Sequence, residues 1–295
     1  MMAKVGIVIV NYNGEKFQND CIESLKKMDC KDFEIIVVDS GSTDKSIEML
    51  RKEYTDVHIL EQNKNVGVAV GNNIGINFSI KLGTEYTLLL NNDVEVDDKL
   101  LSILLENANE NTVTVPKIYY FNPSDKLWFA GGRMNWKKAT GEHIGLGEKD
   151  FGQYDISCYI DYSPTCCMLI HNSVFNKVGK MDESTFMYFD DTDFCVRLID
   201  NGYKIRYISS AKMWHKVSSS SGGEKSKSFV YYNTRNHFYF VDKYVNHIKN
   251  ITKISIRVKY FAKLIISPVR YKNEKYIFKA YKDYKKRIKG RVDNI

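Results

Sequence analysis

Through the first hundred positions apolar residues come in short unbroken runs, and each run stops at a polar cluster. Residues 5–10 form the first run and end in Asn11-Tyr12-Asn13-Gly14. A continuous apolar run of this length suits a strand buried on both faces, and Asn and Gly start turns. Residues 34–39 and 57–60 repeat the pattern, as do residues 87–90 with Leu88, Leu89 and Leu90. Between these runs the period changes. Phe17, Cys21, Leu25 and Met28 recur at helical spacing, which predicts a helix over 17–28. Ser40-Gly41-Ser42-Thr43-Asp44 offers capping groups for a helix over 45–53. Buried strands alternating with helices predict an α/β fold, a parallel sheet with helices on both faces.

Past residue 110 the alternation weakens. Trp128, Gly131, Gly132, Trp136, Gly141, Gly145 and Gly147 point to short strands and loops. The pattern further predicts a strand over 159–170 and helices over 173–178, 191–200 and 228–247. Ser/Gly residues 218–223 read as a mobile loop. No internal repeat is present.

Hydrophobic residues are 43% and charged residues 27% of the 295 positions, a globular balance with room for a large core. No apolar stretch approaches the ~20 residues needed to cross a bilayer, and the N-terminus reads as a first strand rather than a signal peptide. Cys21, Cys30, Cys158, Cys166, Cys167 and Cys195 show no C-x-x-C spacing. Free thiols in a reducing cytosol are therefore expected, not a zinc site or a disulfide framework. The net charge of +7 is uneven: positions 243–295 hold 16 Lys/Arg and three acids, positions 1–242 hold 27 and 33. Two units are expected. One is a mildly acidic body over 1–242, with a nucleotide-binding half (1–100) and an acceptor half (101–242). The other is a basic tail over 243–295.

Three clusters carry candidate chemistry. Asn91-Asn92-Asp93 follows the leucine run, and oxygen-bearing groups at the carboxyl end of a buried strand sit where open α/β sheets bind ligands. They can also hold a hard cation, although Asn and Asp equally begin ordinary turns. Asp190, Asp191 and Asp193 follow an aromatic run. Adjacent carboxylates beside apolar rings favour proton acceptance near neutral pH, while the same acids also match a helix N-terminus, and Arg197 can pair with Asp193. Trp214-His215 ends a strand before the Ser/Gly loop, where a metal or phosphate contact competes with simple packing. Residues 65–75 are dense in Gly and Asn, either to let backbone approach a ligand or as a loop entering a helix.

Eight segments in order resemble glycosyltransferase family 2, with the GT-A fold and rhamnosyltransferase-like members. They are IVIVNYNG (7–14), VVDSGSTD (37–44), NVGVAVGNNIG (65–75), LLLNNDVEV (88–96), FAGGRMN (129–135), VGKMDESTFMYFDDTDFCVRL (178–198), MWHKV (213–217) and YYNTRNHFYF (231–240). The resemblance implies a mixed, mostly parallel sheet and a set of roles. Asn11, Asn13, Asp39, Asn65, Gly67, Asn72 and Asn92 would bind the nucleotide. Asp93 and His215 would hold Mg²⁺ or Mn²⁺. Asp191, seconded by Asp190, would be the catalytic base. Gly131, Gly132, Trp214, Arg235 and Asn236 would serve the acceptor or diphosphate. Asn91 and Asp190 depart from the usual Asp and Glu. The implied reaction is inverting transfer from a UDP- or dTDP-sugar to a glycan or lipid-linked acceptor, in the cytoplasm or at the inner face of the membrane.

Two other classes stay open. A nucleotidyltransferase would need a strongly basic Gly-rich loop after the first strand, and residues 11–20 are poor in that respect. A membrane or nucleic-acid binder could act through the tail alone. Ile251, Ile254, Val258, Phe261 and Ile265 recur every three or four residues among lysines, as do Ile277, Tyr281, Tyr284 and Ile288. Such basic amphipathic helices suit an anionic membrane surface. Nucleic acid is not expected, because no recognition module accompanies the charge.

Overall fold

A computed structural model describes residues 4–217, 226–266, 275–293 and 295. The expected loop at 218–223 lies outside the described residues.

The first half follows the apolar runs. β1 (Val5–Asn11), α1 (Gln18–Lys27), β2 (Phe33–Asp39), α2 (Ser46–Glu53), β3 (Val57–Glu61), α3 (Gly67–Lys81) and β4 (Tyr86–Asn91) alternate as predicted. β1 pairs in parallel with β2 and β4, and β2 with β3. The carboxyl ends of β1, β2 and β4 therefore lie side by side. α1 buries Cys21, Ile22 and Leu25 and leaves its lysines outside. Asp44 accepts the Ser46 amide (3.1 Å) as α2 begins. The Gly/Asn stretch is mostly helix. A Cβ at Gly71 or Gly75 would lie 2.7 or 2.1 Å from the Val10 or Val8 side chain. These glycines bring α3 close against β1, so their role is packing rather than ligand approach.

The second half adds β5 (Val94–Val96), α4 (Leu100–Asn107), β6 (Thr112–Tyr120), β7 (Leu127–Phe129) and the hairpin β8 (Gly132–Asn135) and β9 (Thr140–His143). Then come β10 (Cys158–Ile160), β11 (Cys167–His171), α5 (Ser173–Val178), α6 (Asp190–Asp200), β12 (Lys204–His215) and α7 (Lys227–Lys243). The main sheet runs β10-β12-β6-β11-β4-β1-β2-β3, with β5 on β12 and β7 on β6. It is mixed: β11 is antiparallel to β4 and β6, while β12 is parallel to β6.

The single strand expected over 159–170 is two strands in different places. β10 pairs β12 and β11 pairs β4, and Ser163-Pro164-Thr165-Cys166 crosses between them without strand pairing. Proline cannot donate to a ladder, which fits a break here. β6 escaped the hydrophobic pattern because it buries a lysine. Lys117 is fully buried and pairs with Asp150 (3.0 Å) and Asp155 (2.5 Å).

Two more helices complete the chain, α8 (Asn250–Ile266) and α9 (Lys275–Lys285). α9 lies on α7: Phe238 meets Tyr281 and Tyr284, and the Tyr231 hydroxyl donates to Asp283 (2.8 Å). Ile277, Ala280 and Tyr284 are buried there.

Candidate active site

A cavity of about 830 Å³ opens at the carboxyl ends of the parallel strands. Open α/β sheets bind ligands at this edge. Asn65, Gly67, Asn72, Asn92, Asp93, Asp190, Asp191 and His215 all line it, from four separate stretches of sequence.

Antiparallel pairing of β12 with β5 sets His215 opposite Val94. His215 Nε2 thereby comes 3.1 Å from Asp93 Oδ1, and both side chains are buried. His215 Nδ1 has no hydrogen-bond partner among the described residues. Two ligands sharing a small cation at ~2.1 Å bonds stand about 3 Å apart, so the pair fits one divalent ion. No group of three or more such side chains occurs among the described residues. The remaining coordination positions would fall to water and diphosphate oxygens, as is usual for Mg²⁺. Lys216 follows, its Nζ held between Asp20 (2.6 Å) and Glu95 (2.7 Å).

On the opposite wall, α6 starts abruptly. Phe186, Tyr188 and Phe189 all have positive φ (67°, 64° and 68°). This strained turn delivers Asp190 and Asp191 to the cavity. Asp191 Oδ2 accepts the Tyr162 hydroxyl (2.9 Å), and Oδ1 accepts the Thr192 amide (2.6 Å) and hydroxyl (3.0 Å). Burial, then the charge of Asp191, pushes the Asp190 carboxyl up to about 7. Burial raises Asp191 too, opposed by its bonds from Tyr162 and Thr192. The three donors oppose protonation of Asp191, whereas Asp190 is raised by burial and by the charge of Asp191. Asp193 is different: Arg197 (2.8 Å), Lys243 (2.6 Å) and the Tyr244 hydroxyl (2.7 Å) consume it structurally.

Other expected residues stand behind the wall. Asn11 donates to Asp39 Oδ1 (3.0 Å) and accepts from Asn92 (2.9 Å), tying three strand ends together. Asp39 also accepts the Ser42 amide (3.0 Å), and Ser40 rather than Asp39 lines the cavity. Asn13 is exposed and accepts the Thr43 amide (2.8 Å). Among the described residues Gly67 (φ +82°) is the glycine that lines the cavity, and a Cβ there would lie 2.4 Å from the Phe186 carbonyl.

Five expected residues need correction. Gly131 and Gly132 do not line the cavity; a Cβ on Gly132 would lie 2.3 Å from the Tyr162 carbonyl, so this turn seats Tyr162. Trp214 stacks on Tyr119 outside the cavity, because neighbours on a strand face opposite sides. Trp128 takes the cavity position, its ring edge-on to His215 at 4.6 Å. Arg235 and Asn236 lie away from the cavity and are consumed by carbonyl groups. Arg235 donates to Gly290 (2.7 Å) and Thr185 (3.0 Å), and Asn236 Nδ2 to Thr185 (2.8 Å), Met187 (2.8 Å) and Tyr188 (3.0 Å). Sequence alone missed Trp128, Tyr162 and Tyr188. Strand alternation around His215 was the available signal against Trp214.

Behind Tyr162 lies His143, its Nδ1 donating to the Trp128 carbonyl (3.0 Å), with burial holding it below the usual imidazole range. Tyr162→Phe removes the donor that opposes protonation of Asp191. The acid limb of a rate–pH profile limited by Asp191 should then move to higher pH. Rate is lost on the acid side of the profile and regained as pH rises. An unmoved limb would remove Tyr162 from this role.

The sequence profile of glycosyl transferase family 2 matches residues 6–179. The chain is 28% identical to the dTDP-rhamnosyl transferase RfbF of Shigella flexneri, over 86% of this chain and 84% of that one. It is 27% identical to the low-salt glycan biosynthesis hexosyltransferase Agl10 of Haloferax volcanii, over 81% and 75%. It is 22% identical to an N-acetylglucosaminyl-diphospho-decaprenol L-rhamnosyltransferase of Mycobacterium tuberculosis, over 81% and 84%. Among solved structures, GalNAc-T7 with UDP, GalNAc and Mn²⁺ superposes with TM-score 0.67 at 14% identity, covering 96% of this chain and 55% of that one. S. aureus TarS 1–349 with UDP-GlcNAc gives 0.59 at 15%, covering 97% and 81%. The fold is of the GT-A type.

Proposed function

From the premise that the chain belongs to glycosyltransferase family 2, we propose inverting transfer of a hexosyl or rhamnosyl group from a UDP- or dTDP-sugar to a hydroxyl of a glycan or lipid-linked acceptor. Family membership displaces the nucleotidyltransferase and purely binding readings. The observation that supports the mechanism is the opening of two polar pairs, Asp93–His215 and Asp190–Asp191, onto one cavity.

Asn65, Gly67 and Asn72 form the floor for ribose and phosphates, with Tyr12 and Ser40 on the same wall, and Asp39, held by Asn11 and Ser42 behind Ser40, positions the wall that would face the base. Asp93 and His215 would hold Mg²⁺ or Mn²⁺, which when bound supplies charge neutralisation to the leaving diphosphate. Lys216 lines the same side, its charge shared with Asp20 and Glu95. Trp128 and Tyr188 offer aromatic faces to a sugar ring. The acceptor hydroxyl gives its proton to Asp191 as its oxygen bonds to the anomeric carbon and the carbon–phosphate oxygen bond breaks. The arrangement of Asp191 supports this role: its carboxylate accepts three hydrogen bonds from Tyr162 and Thr192 and opens on the same cavity as Asp93 and His215. The RfbF and M. tuberculosis names support a deoxyhexose donor and a diphosphate-lipid acceptor in surface glycan synthesis. Such an acceptor sets the reaction in the cytoplasm at the membrane face.

A thermal-shift panel of UDP-, dTDP- and GDP-sugars with Mn²⁺ tests the reading. The true donor should raise the midpoint by several degrees through mass action. EDTA should reverse part of the rise, and Asp93→Asn should abolish the metal-dependent part. No response to any nucleotide sugar would overturn the proposal.

A further inference from the structure

α8 carries two apolar stripes on opposite sides. Ile256 and Tyr260 are buried against the body, where the Tyr260 hydroxyl bonds His237 (2.9 Å). Roughly 160° around the helix, Ile251, Ile254, Val258 and Phe261 form a second stripe. They are 69%, 56%, 59% and 39% exposed. The spacing of 3, 4 and 3 residues keeps them on one line. An amphipathic helix that only covers a core needs the first stripe alone. By contrast, the apolar row of α9 faces α7. Ile265 lies outside the residues whose side chains are described.

Charge selects the occupant. Arg257 and Lys259 flank the exposed stripe on its two sides, both exposed, with Arg257 3.8 Å from Asp242. Positions 243–273 hold eight Lys/Arg and no Asp or Glu. A second copy meeting stripe to stripe would bring two such basic segments together. An anionic bilayer meets both requirements, taking apolar side chains below its headgroups and matching the cations at its surface. No helix among the described residues is long and apolar enough to cross a membrane. We infer that α8 lies in the plane of an anionic membrane surface, with Ile251, Ile254 and Val258 inserted, Phe261 at the edge of the stripe where its ring meets Tyr281, and Arg257 and Lys259 at the phosphates. The surface is independent of the transfer reading and stands even if another chemistry occupies the cavity.

The test is co-sedimentation of the full chain, without nucleotide or acceptor, with phosphatidylcholine vesicles and with the same vesicles carrying one third phosphatidylglycerol. Binding is expected to the anionic vesicles and to fall with added salt. Ile254→Ser with Val258→Ser should weaken it by about tenfold or more. Arg257→Gln with Lys259→Gln should weaken it by about fivefold per charge. Both double variants lie away from the cavity, so nucleotide-sugar hydrolysis in solution should match wild type. A wild-type chain that stays in the supernatant, or an apolar double variant that binds unchanged, overturns the inference. So does a dimer in sedimentation velocity that the apolar variant abolishes, since it would assign the stripe to a second copy.

Discussion

Asp191→Asn is expected to lower turnover by about 10²–10⁴-fold, the usual contribution of a positioned base, while nucleotide-sugar binding survives. The substitution keeps the shape of the side chain and an oxygen for the Thr192 amide, so the start of α6 should hold. It removes the proton acceptor and the charge that raises Asp190. The donor-induced thermal shift should therefore match wild type while transfer fails. Asp190→Asn is the control: if Asp191 is the base, it retains far more activity. Full turnover by Asp191→Asn would end the assignment, and a reversed order would move the base to Asp190.

The second large effect lies away from the cavity. Arg235 is fully buried and meets carbonyl oxygens and the rings of Tyr231 and Tyr232 at 5.4 and 4.9 Å. Its guanidinium joins Thr185, ahead of the strained turn, to Gly290, near the end of the chain. Arg235→Ala leaves several buried carbonyls unpaired and should cost about 3 kcal/mol or more. Arg235→Lys should recover little, because a single ammonium cannot span the same acceptors. Asn236→Ala is the sharper probe. It frees the carbonyls of Met187 and Tyr188, and residues held at positive φ persist only when their surroundings hold them. The expected result is a fall of about tenfold or more in kcat with donor KM little changed, since the floor at Asn65 and Asn72 belongs to another element. Urea unfolding and steady-state kinetics on the two variants separate the effects. Wild-type kcat in Asn236→Ala would show that the turn holds itself.

The sequence was most legible where chemistry and period coincide. The runs at 5–10, 34–39 and 87–90 became neighbouring parallel strands because a strand buried on both faces must be apolar throughout. It was least legible where burial was polar. Lys117 sits at the centre of β6 because Asp150 and Asp155 reach it, and no local pattern announces that. The crossing at 163–166 was read as strand because its apolar flanks hide a change of partner. Arg235 and Asn236 were expected at the diphosphate or acceptor and lie elsewhere, since a side chain that binds carbonyls and one that binds a diphosphate use the same donors. The basic tail likewise concealed two fates: α9 became part of the core, and α8 kept one stripe outside.

Residue identity by itself determined the family, the parallel half-sheet and the inventory of acids, amides and histidine available for chemistry, because local period and ordered motifs survive without coordinates. Tertiary structure decided which of them meet. The pairing of β12 with β5 put His215 on Asp93, and Tyr162, seated by a turn some thirty residues earlier, fixed Asp191. Contacts between positions far apart in sequence depend on strand order and on which face each side chain takes, and neither is written in a local pattern.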